Sequence, residues 1–225
     1  MVQLWVSPGA CSLLPHILLN EINADFELVI VDIVKELGFP EKYKEINPKK
    51  RLPILILDDG TVITETVAIS TKISQMAPDH HLLGSDDLEI VRSYEWFNWL
   101  SGTFHERGFG SFFGPHRFAD DEIAFDPIRR SSYAFIEQCF SDVEERLTGV
   151  YAVGNAFTAV DVFLYVIYRW GHMLRLDMKG AYPKYTKLVL EVTKRAAVSK
   201  TVEKEGIPLI EDNRADGADL QKYKP

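Results

Sequence analysis

Cys11 and Ser12 are the side chains in this sequence best placed to do chemistry. They follow a short apolar segment and the turn Ser7-Pro8-Gly9, and they precede a run of residues with helical spacing. The free N–H groups and the dipole at the start of a helix stabilise a thiolate or another anion. Lowering a thiol pKa by two units from about 8.5, worth roughly 2.7 kcal/mol, makes the thiolate the main form near neutral pH. The pattern indicates an anion-stabilising site, and a buried cysteine followed by a helix-capping serine is the structural alternative.

Two further segments could bind the backbone and the charged ends of a peptide-like ligand. Leu52-Pro53 begins an apolar strand pattern, although proline cannot donate a hydrogen bond to a sheet. A Leu52 backbone that faces out of the sheet, as beside a cis bond, could pair with an extended peptide, whereas the alternative is an ordinary edge strand. In Glu65-Thr66, Glu65 can accept from an ammonium and Thr66 can donate to a carboxylate. Ordinary helix capping would explain the same two residues.

Other polar motifs in the sequence favour structural roles. Thr158-Ala159-Val160-Asp161 has the form of a capping box and predicts the start of a central helix. His105 ends a long helical pattern, and a single histidine of this kind is more often structural than catalytic. His16 falls on a different face of the first helix from Cys11. No histidine, cysteine or carboxylate set has the spacing of a metal site, so we expect no metal.

The patterns around these residues predict a small α/β domain followed by an all-α domain. Residues 1–82 have the order strand, helix, strand, loose segment, hairpin around Asp58-Asp59-Gly60, and a helix over Thr66–Met76. This order gives a mixed four-stranded sheet covered by helices. Residues 88–210 have long helical patterns, and Thr158–Leu176 is apolar almost all round, as expected of a helix buried in a bundle. The polar residues 211–225 are expected to form a flexible tail.

Composition and charge narrow the class of function. The chain has 225 residues, of which 46% are hydrophobic and 26% charged, which is typical of a globular protein. A net charge of −8 argues against a nucleic-acid binder, and no apolar stretch approaches the roughly 18 residues of a membrane span. The N-terminus lacks a secretory pattern, and two cysteines suit a reducing compartment. We therefore expect a cytoplasmic protein whose partners are small molecules or another copy of itself.

Four segments in order resemble the glutathione transferase family, specifically its bacterial beta class and related fungal proteins. They are the start around Cys11, the segment from Ile46 to Leu55, the segment from Thr64 to Ile69, and the capping motif from Asn155 to Asp161. The resemblance extends from residue 1 to about residue 205. It implies a thioredoxin-like first domain, an all-helical second domain for a second substrate, glutathione as co-substrate and usually a homodimer.

The resemblance also implies which residues surround the glutathione sulfur. Cys11 and Ser12 would meet the sulfur, with Cys11 as a hydrogen-bond donor or mixed-disulfide partner and Ser12 as a donor to the thiolate. His105 aligns with a histidine near the thiol and would have an auxiliary role. Asn98 aligns with an asparagine that can reach the glutathione of the neighbouring subunit.

The rest of glutathione would lie across the α/β domain. The resemblance implies that Leu52, beside Pro53, pairs by its backbone with the cysteinyl unit. It assigns the γ-glutamyl end to Glu65 and Thr66. Lys35 is a candidate for the glycyl carboxylate.

Three departures from the family pattern bear on activity. Val6 replaces a tyrosine often found in the first strand, so no tyrosine activates the thiol from that position. Lys50-Arg51 replaces a smaller, less charged pair and adds positive potential near the carboxylates of glutathione. Residues 104–118 are unusually aromatic, and in this family that region faces the second substrate. A flat or polyunsaturated hydrophobic substrate is therefore expected.

Four hypotheses follow for the reaction. The first is a transferase, in which the glutathione thiolate attacks a hydrophobic electrophile. The second is a glutathione-dependent cis–trans isomerase of a conjugated polyene, which the aromatic segment motivates. The third is a thiol transferase that depends on Cys11, and the fourth is a non-catalytic binding protein that has kept the fold.

Overall fold

The computed structural model describes residues 1–33, 39–212 and 219–224. Its first part is a four-stranded sheet in the order β2-β1-β3-β4, with β1 at Val2–Val6, β2 at Phe26–Ile30, β3 at Ile54–Ile56 and β4 at Val62–Thr64. β1 is parallel to β2, while β3 is antiparallel to both β1 and β4. The parallel pair requires a crossover, and the first helix supplies it. This mixed sheet confirms the thioredoxin-like α/β fold expected for the first domain.

Two helices cover this sheet. Helix α1 spans Leu13–Glu21 and α2 spans Thr66–Met76, the range predicted for the second helix. Residues 13–20 of α1 are all buried, because α1 packs against α2 on one side and against helices of the second domain on the other. The predicted hairpin is also present, and its turn uses Gly60 at φ 83°, a left-handed conformation that favours glycine.

The second domain is entirely helical in the residues described. Its helices are α3 (Asp87–Asn98), a π-helix (Trp99–Gly110), α4 (Ser111–Phe113), α5 (Phe125–Arg146), α6 (Ala159–Met173), α7 (Met178–Ala181), α8 (Pro183–Val192) and α9 (Ala196–Glu205). The expected all-α fold is confirmed. The π-helix was not predicted, and π-helical turns are rare and frequent at functional sites. No helix in the described ranges has the length and apolar character needed to cross a membrane.

The central helix α6 begins with the predicted capping box. Thr158 and Asp161 exchange the two reciprocal hydrogen bonds that define it, and Asp161 is fully buried. The Asp161 carboxylate accepts from the Thr158 N–H at 2.7 Å, from the Thr158 hydroxyl at 3.1 Å and from the Ala152 N–H at 2.8 Å. Burial raises the pKa of Asp161 to about 7, against the lowering effect of these hydrogen bonds.

The end of the chain differs from the expected flexible tail. A short 3₁₀ helix, Leu220–Tyr223, packs on the helical domain. Tyr223 is 5% exposed, its ring meets the edge of Phe112, and its hydroxyl donates to Asp126 at 3.0 Å. The prediction is therefore wrong for residues 219–224, because one aromatic anchor buries enough surface to hold a polar segment in place.

Candidate active site

The pairing of the strands brings three of the predicted segments to one edge of the sheet. Ile54 at the start of β3 pairs with Trp5 near the end of β1 and with Thr64 at the end of β4. The chain that leaves β1, the chain that enters β3 and the chain that leaves β4 therefore lie side by side. These are the segments that carry Cys11, Leu52 and Glu65.

Cys11 lies in the turn between β1 and α1 and faces the segment before β3. Its Sγ donates to the Leu52 carbonyl at 3.6 Å, and the residue is 8% exposed. The Leu52–Pro53 bond is cis, the form considered from the sequence. The Cys11 thiol and the main chain of Leu52 are therefore in contact at this edge of the sheet.

The Ser12 hydroxyl is hydrogen-bonded to the main chain of Ser7 in this structure. Ser12 is fully buried, and its hydroxyl donates to the Ser7 carbonyl at 3.0 Å and accepts from the Ser7 N–H at 3.0 Å. A hydroxyl has a single proton to donate. That proton is committed to Ser7, so Ser12 holds the turn that carries Cys11, and a direct bond from Ser12 to a thiolate would require this pair to break.

Glu65 adopts a backbone conformation that its residue type disfavours. Its φ is 74° and its ψ is 125°, and it stands directly before α2. Such a conformation in a non-glycine residue costs on the order of 1–3 kcal/mol and is typical of ligand-binding sites. The side chain makes no capping bond to α2, so ordinary capping does not explain it. Instead the exposed carboxylate pairs with Lys49, whose ammonium also donates to Thr64 at 2.6 Å.

His105 lies on the π-helix and reaches the Cys11 turn through a tryptophan. Its ring centroid is 5.0 Å from that of Trp170, and the Trp170 indole donates to the Gly9 carbonyl at 3.0 Å. Burial is the main cause that lowers the pKa of His105 to about 4; the charge of Glu106 opposes the shift, and those of Arg51 and Arg117 add to it. His105 is therefore neutral near pH 7 and packs behind the turn.

This pKa predicts a contribution of His105 to acid sensitivity. The folded-state pKa of about 4 lies below the ordinary value of 6.5, so as the pH falls through that interval the unfolded chain binds a proton that the folded chain does not. Between about pH 7 and pH 5, the free energy of unfolding should fall by about 1–2 kcal/mol more in the wild type than in His105→Gln. Urea denaturation at several pH values measures this difference. His80→Gln, at an exposed position in the connecting turn, is the control, and equal pH dependence of wild type and His105→Gln would contradict the assignment.

The turn is also held by a carboxylate at the end of α9. The Glu205 carboxylate accepts from the Gly9 N–H at 2.8 Å and pairs with His16 Nδ1 at 2.7 Å. Glu205 is 6% exposed and ends α9. His16 thus has the packing and hydrogen-bonding role expected from its helix face, while Glu205 escaped sequence analysis because 196 residues separate it from Gly9.

Comparison with known proteins places these features in a family. A model of the glutathione S-transferase N-terminal domain matches residues 9–75, and a model of the C-terminal domain matches residues 133–196. Glutathione S-transferase GstA of Escherichia coli O157:H7 is 32% identical over 209 residues, which are 92% of this chain and all of the relative. This chain belongs to the glutathione S-transferase family. The resemblance stated from the sequence is confirmed, and with it the expected class of function.

Solved structures of glutathione S-transferases agree with this fold. A sphingomonad glutathione S-transferase complexed with glutathione is 33% identical, with a TM-score of 0.77 over 92% of this chain and 100% of the other. A glutathione transferase homologue from Sulfitobacter with bound glutathione is 28% identical, with a TM-score of 0.86 over 92% of this chain and 99% of the other. The likeness therefore covers both domains.

Asn98 and Lys35 were also expected to contact glutathione in this glutathione S-transferase. Asn98 is exposed on α3, where its side-chain amide donates to the Tyr94 carbonyl at 2.8 Å. An exposed position is compatible with a role toward a second subunit. Lys35 lies outside the described residues.

The aromatic segment of this glutathione S-transferase is mostly interior. Phe104, Phe109 and Phe112 are at most 2% exposed, and Phe104 and Phe109 pack on Phe140 with centroids 4.8 and 6.2 Å away. Phe113 and Phe118 are exposed. The expectation that the whole segment faces a substrate is wrong, because Phe104 and Phe109 on the π-helix and Phe112 on α4 are buried in the bundle core.

Proposed function

We propose that this glutathione S-transferase binds glutathione along the edge of the sheet and activates its thiol for attack on a hydrophobic electrophile. The observation that carries the proposal is the Cys11 thiol on the Leu52 carbonyl at 3.6 Å, at the edge where Glu65 also stands. A tripeptide laid along this edge would put its own sulfur beside Cys11. The relatives described above with glutathione in their structures support this placement.

The segments along the edge suit the parts of glutathione. The Leu52 main chain, positioned by Pro53, would pair with the cysteinyl unit in the manner of an added strand. The start of α2 at Thr66 would receive the γ-glutamyl carboxylate, because free N–H groups and the helix dipole favour an anion there. Glu65 would accept from the γ-glutamyl ammonium, displacing Lys49. Lys35 remains our proposal for the glycyl carboxylate.

Of the residues near the glutathione sulfur, Cys11 would contact it, and Ser12 and His105 would hold the turn that carries Cys11. Cys11 would turn its S–H from the Leu52 carbonyl to the glutathione sulfur, or form a mixed disulfide with glutathione by exchange with a glutathionylated substrate. Ser12 would hold the turn through Ser7, and His105 would support it from behind as a neutral ring. The start of α1 supplies the electropositive end that favours a thiolate.

Glu65→Gln tests the binding of the γ-glutamyl end. A charge-assisted hydrogen bond to an ammonium is worth about 1.5–3 kcal/mol, so the affinity for glutathione should fall by about 10- to 100-fold. Titration calorimetry measures it. Glu27→Gln, an equal change of charge at the far edge of the sheet, is the control and should bind as the wild type does. An unchanged affinity in Glu65→Gln would remove Glu65 from the site, and no binding by folded wild type would refute the proposed function.

Thiol transfer is a second candidate, which the Cys11 thiol at this position favours. A serine or tyrosine in its place could stabilise a glutathione thiolate, but only a cysteine thiolate can attack the disulfide of a glutathionylated substrate. That attack forms the Cys11–glutathione disulfide and releases the substrate thiolate, and a second glutathione then releases Cys11 and leaves as glutathione disulfide. The polyene isomerase loses its motivation, because the aromatic segment that suggested it lies largely in the core. A non-catalytic protein would bind glutathione without turnover.

Exposed apolar side chains on α3 and the state of the two cysteines bear on the oligomeric state and the compartment of the enzyme. We propose a homodimer in the cytoplasm, with residues 1–82 and 88–210 as its glutathione-binding and second-substrate domains. Leu88 and Val91 on α3 are 64% and 60% exposed, and they would be covered in a dimer that brings Asn98 to the partner's glutathione. Neither Cys11 nor Cys139 forms a disulfide in the described structure, which suits a reducing compartment.

A further inference from the structure

Three charged side chains join the two domains next to the Cys11 site. Arg51, directly before Leu52, donates two parallel hydrogen bonds to the Glu106 carboxylate at 2.9 and 3.0 Å. Arg117 donates to the same carboxylate at 3.0 Å. We call Arg51, Glu106 and Arg117 the arginine cluster. Arg51 comes from the glutathione-binding domain, whereas Glu106 and Arg117 come from the helical domain.

The Arg117 guanidinium lies in a space that two glycines leave open. It donates to the Gly110 carbonyl at 2.6 Å. A Cβ added at Gly114 would lie 2.5 Å from Arg117 Nε, and one added at Gly110 would lie 3.3 Å from Arg117 Nη2. Neither glycine has a positive φ in the described structure, so room for the guanidinium is the property that glycine contributes here. The cation is held in place before any ligand arrives.

The arginine cluster has more positive charge than its own carboxylate neutralises. Two guanidinium groups share one carboxylate, which leaves a formal surplus of one positive charge. Each guanidinium has five N–H donors, and the bonds described use two of them on Arg51 and two on Arg117. Both arginines keep solvent access, with side chains 53% and 35% exposed. Donors therefore remain for an incoming anion.

The surroundings do not cancel this surplus. Glu65 is the nearby acid that also raises the pKa of Arg51, to a smaller extent than Glu106 does, and it is paired with Lys49. His105 is neutral near pH 7. The Cys11 thiol also acts on Arg51, which places the cluster within electrostatic reach of the sulfur.

We propose that the arginine cluster binds a carboxylate of the second substrate and makes this enzyme prefer anionic electrophiles. The inference rests on the proposed function and adds a substrate class to it. Arg117 and Glu106 belong to the helical domain, which in the proposed function holds the electrophile. A guanidinium fork matches a carboxylate in geometry and charge. The substrate is thus an apolar or aromatic electrophile with one acidic group.

A matched pair of aryl chlorides tests this preference. The probes are 4-chloro-3,5-dinitrobenzoate and its neutral amide, 4-chloro-3,5-dinitrobenzamide. In both, the glutathione thiolate forms a C–S bond at the carbon that carries chlorine, the C–Cl bond breaks, chloride leaves with the electron pair, and the thiol proton goes to solvent. The measured quantity is the ratio of kcat/KM for the acid to kcat/KM for the amide, each divided by its uncatalysed rate constant.

Two variants should move this ratio in opposite directions. Arg117→Gln should lower it about tenfold, and Glu106→Gln, which adds to the positive surplus, should raise it several-fold. Raising the ionic strength from about 0.05 to 0.5 M should lower the wild-type ratio, since salt screens exposed charges. Arg107→Gln is the control, because it removes one positive charge, as Arg117→Gln does, at the residue that follows Glu106. The exposed Arg107 guanidinium lies over Phe135, so this variant should leave the ratio within about twofold of the wild type.

Calorimetry with the two glutathione conjugates of these probes gives the same comparison without turnover. An acid-to-amide ratio that does not respond to Arg117→Gln or Glu106→Gln overturns the inference. A rise in KM for glutathione with no change in the ratio also overturns it, and assigns the cluster to a carboxylate of glutathione. Failure of the wild type to bind glutathione or either conjugate refutes the proposed function itself and the inference with it.

Discussion

Replacing Cys11 with alanine should abolish thiol–disulfide exchange while conjugation continues at a reduced rate. The sulfur at the Leu52 carbonyl is the nucleophile that can form a mixed disulfide, so its removal should slow reduction of a glutathione mixed disulfide by at least about 100-fold. Conjugation uses the sulfur of glutathione itself, which would lose one hydrogen-bond donor. That step should slow by only about tenfold. The two rates, measured on the same preparation, separate thiol transfer from conjugation.

Cys139 provides the matched control for this experiment. Cys139 lies on α5 and is only 1% exposed. Burial raises its pKa to about 12, so it cannot supply a thiolate near neutral pH. Cys139→Ala should keep both activities. The double variant Cys11→Ala, Ser12→Ala also loses the hydroxyl that binds Ser7, so its conjugation should fall below that of Cys11→Ala. Conjugation at the original rate in the double variant would refute the assignment of this turn as the active site.

Asp161→Ala should destabilise the protein by about 3 kcal/mol or more. The variant leaves the Thr158 N–H, the Thr158 hydroxyl and the Ala152 N–H without their acceptor. Thr158 directly precedes α6, which is buried along nearly its whole length, and Ala152 lies in the loop before it. Urea denaturation at about pH 8, above the pKa of about 7, measures the loss with the carboxylate charged.

Asp86→Ala is the control for Asp161→Ala. Asp86 also caps a helix, accepting from the Glu89 N–H at 2.9 Å, but at an exposed site. Its loss should cost only about 1 kcal/mol, since water can replace the cap. Asp161→Asn should fall between the two, because an amide keeps one acceptor oxygen. Equal losses for Asp86→Ala and Asp161→Ala would show that α6 does not depend on its buried capping box.

Features with a local cause were predictable from the sequence. The hairpin at Asp58-Asp59-Gly60, the limits of α2 and the capping box of α6 depend on residues within a few positions of each other. The thioredoxin-like fold followed from the order of these elements and from the family resemblance. That Cys11 and Leu52 serve one site was implied only by the family resemblance, and the paired strand ends of the structure supply the physical reason for their contact.

Features with a distant cause were not predictable in this way. The pattern of Phe104 and Phe109 predicts a helix, but neither its π form nor the packing of both rings on Phe140, which comes from a distant helix. Ser12 looked available because the orientation of its hydroxyl depends on the turn at Ser7. Arg117 lies 66 positions after Arg51 along the sequence, and only the fold brings both to Glu106.

The hydrogen bonds of Glu205 have a consequence for how the enzyme matures during synthesis. Gly9 and His16 flank Cys11, and both bind a carboxylate made almost 200 residues later, the separations being 196 and 189. A nascent chain emerges N-terminus first. The turn that carries Cys11 therefore leaves the ribosome well before Glu205 does, so a polypeptide terminated between them would carry Cys11 without the carboxylate that completes its turn.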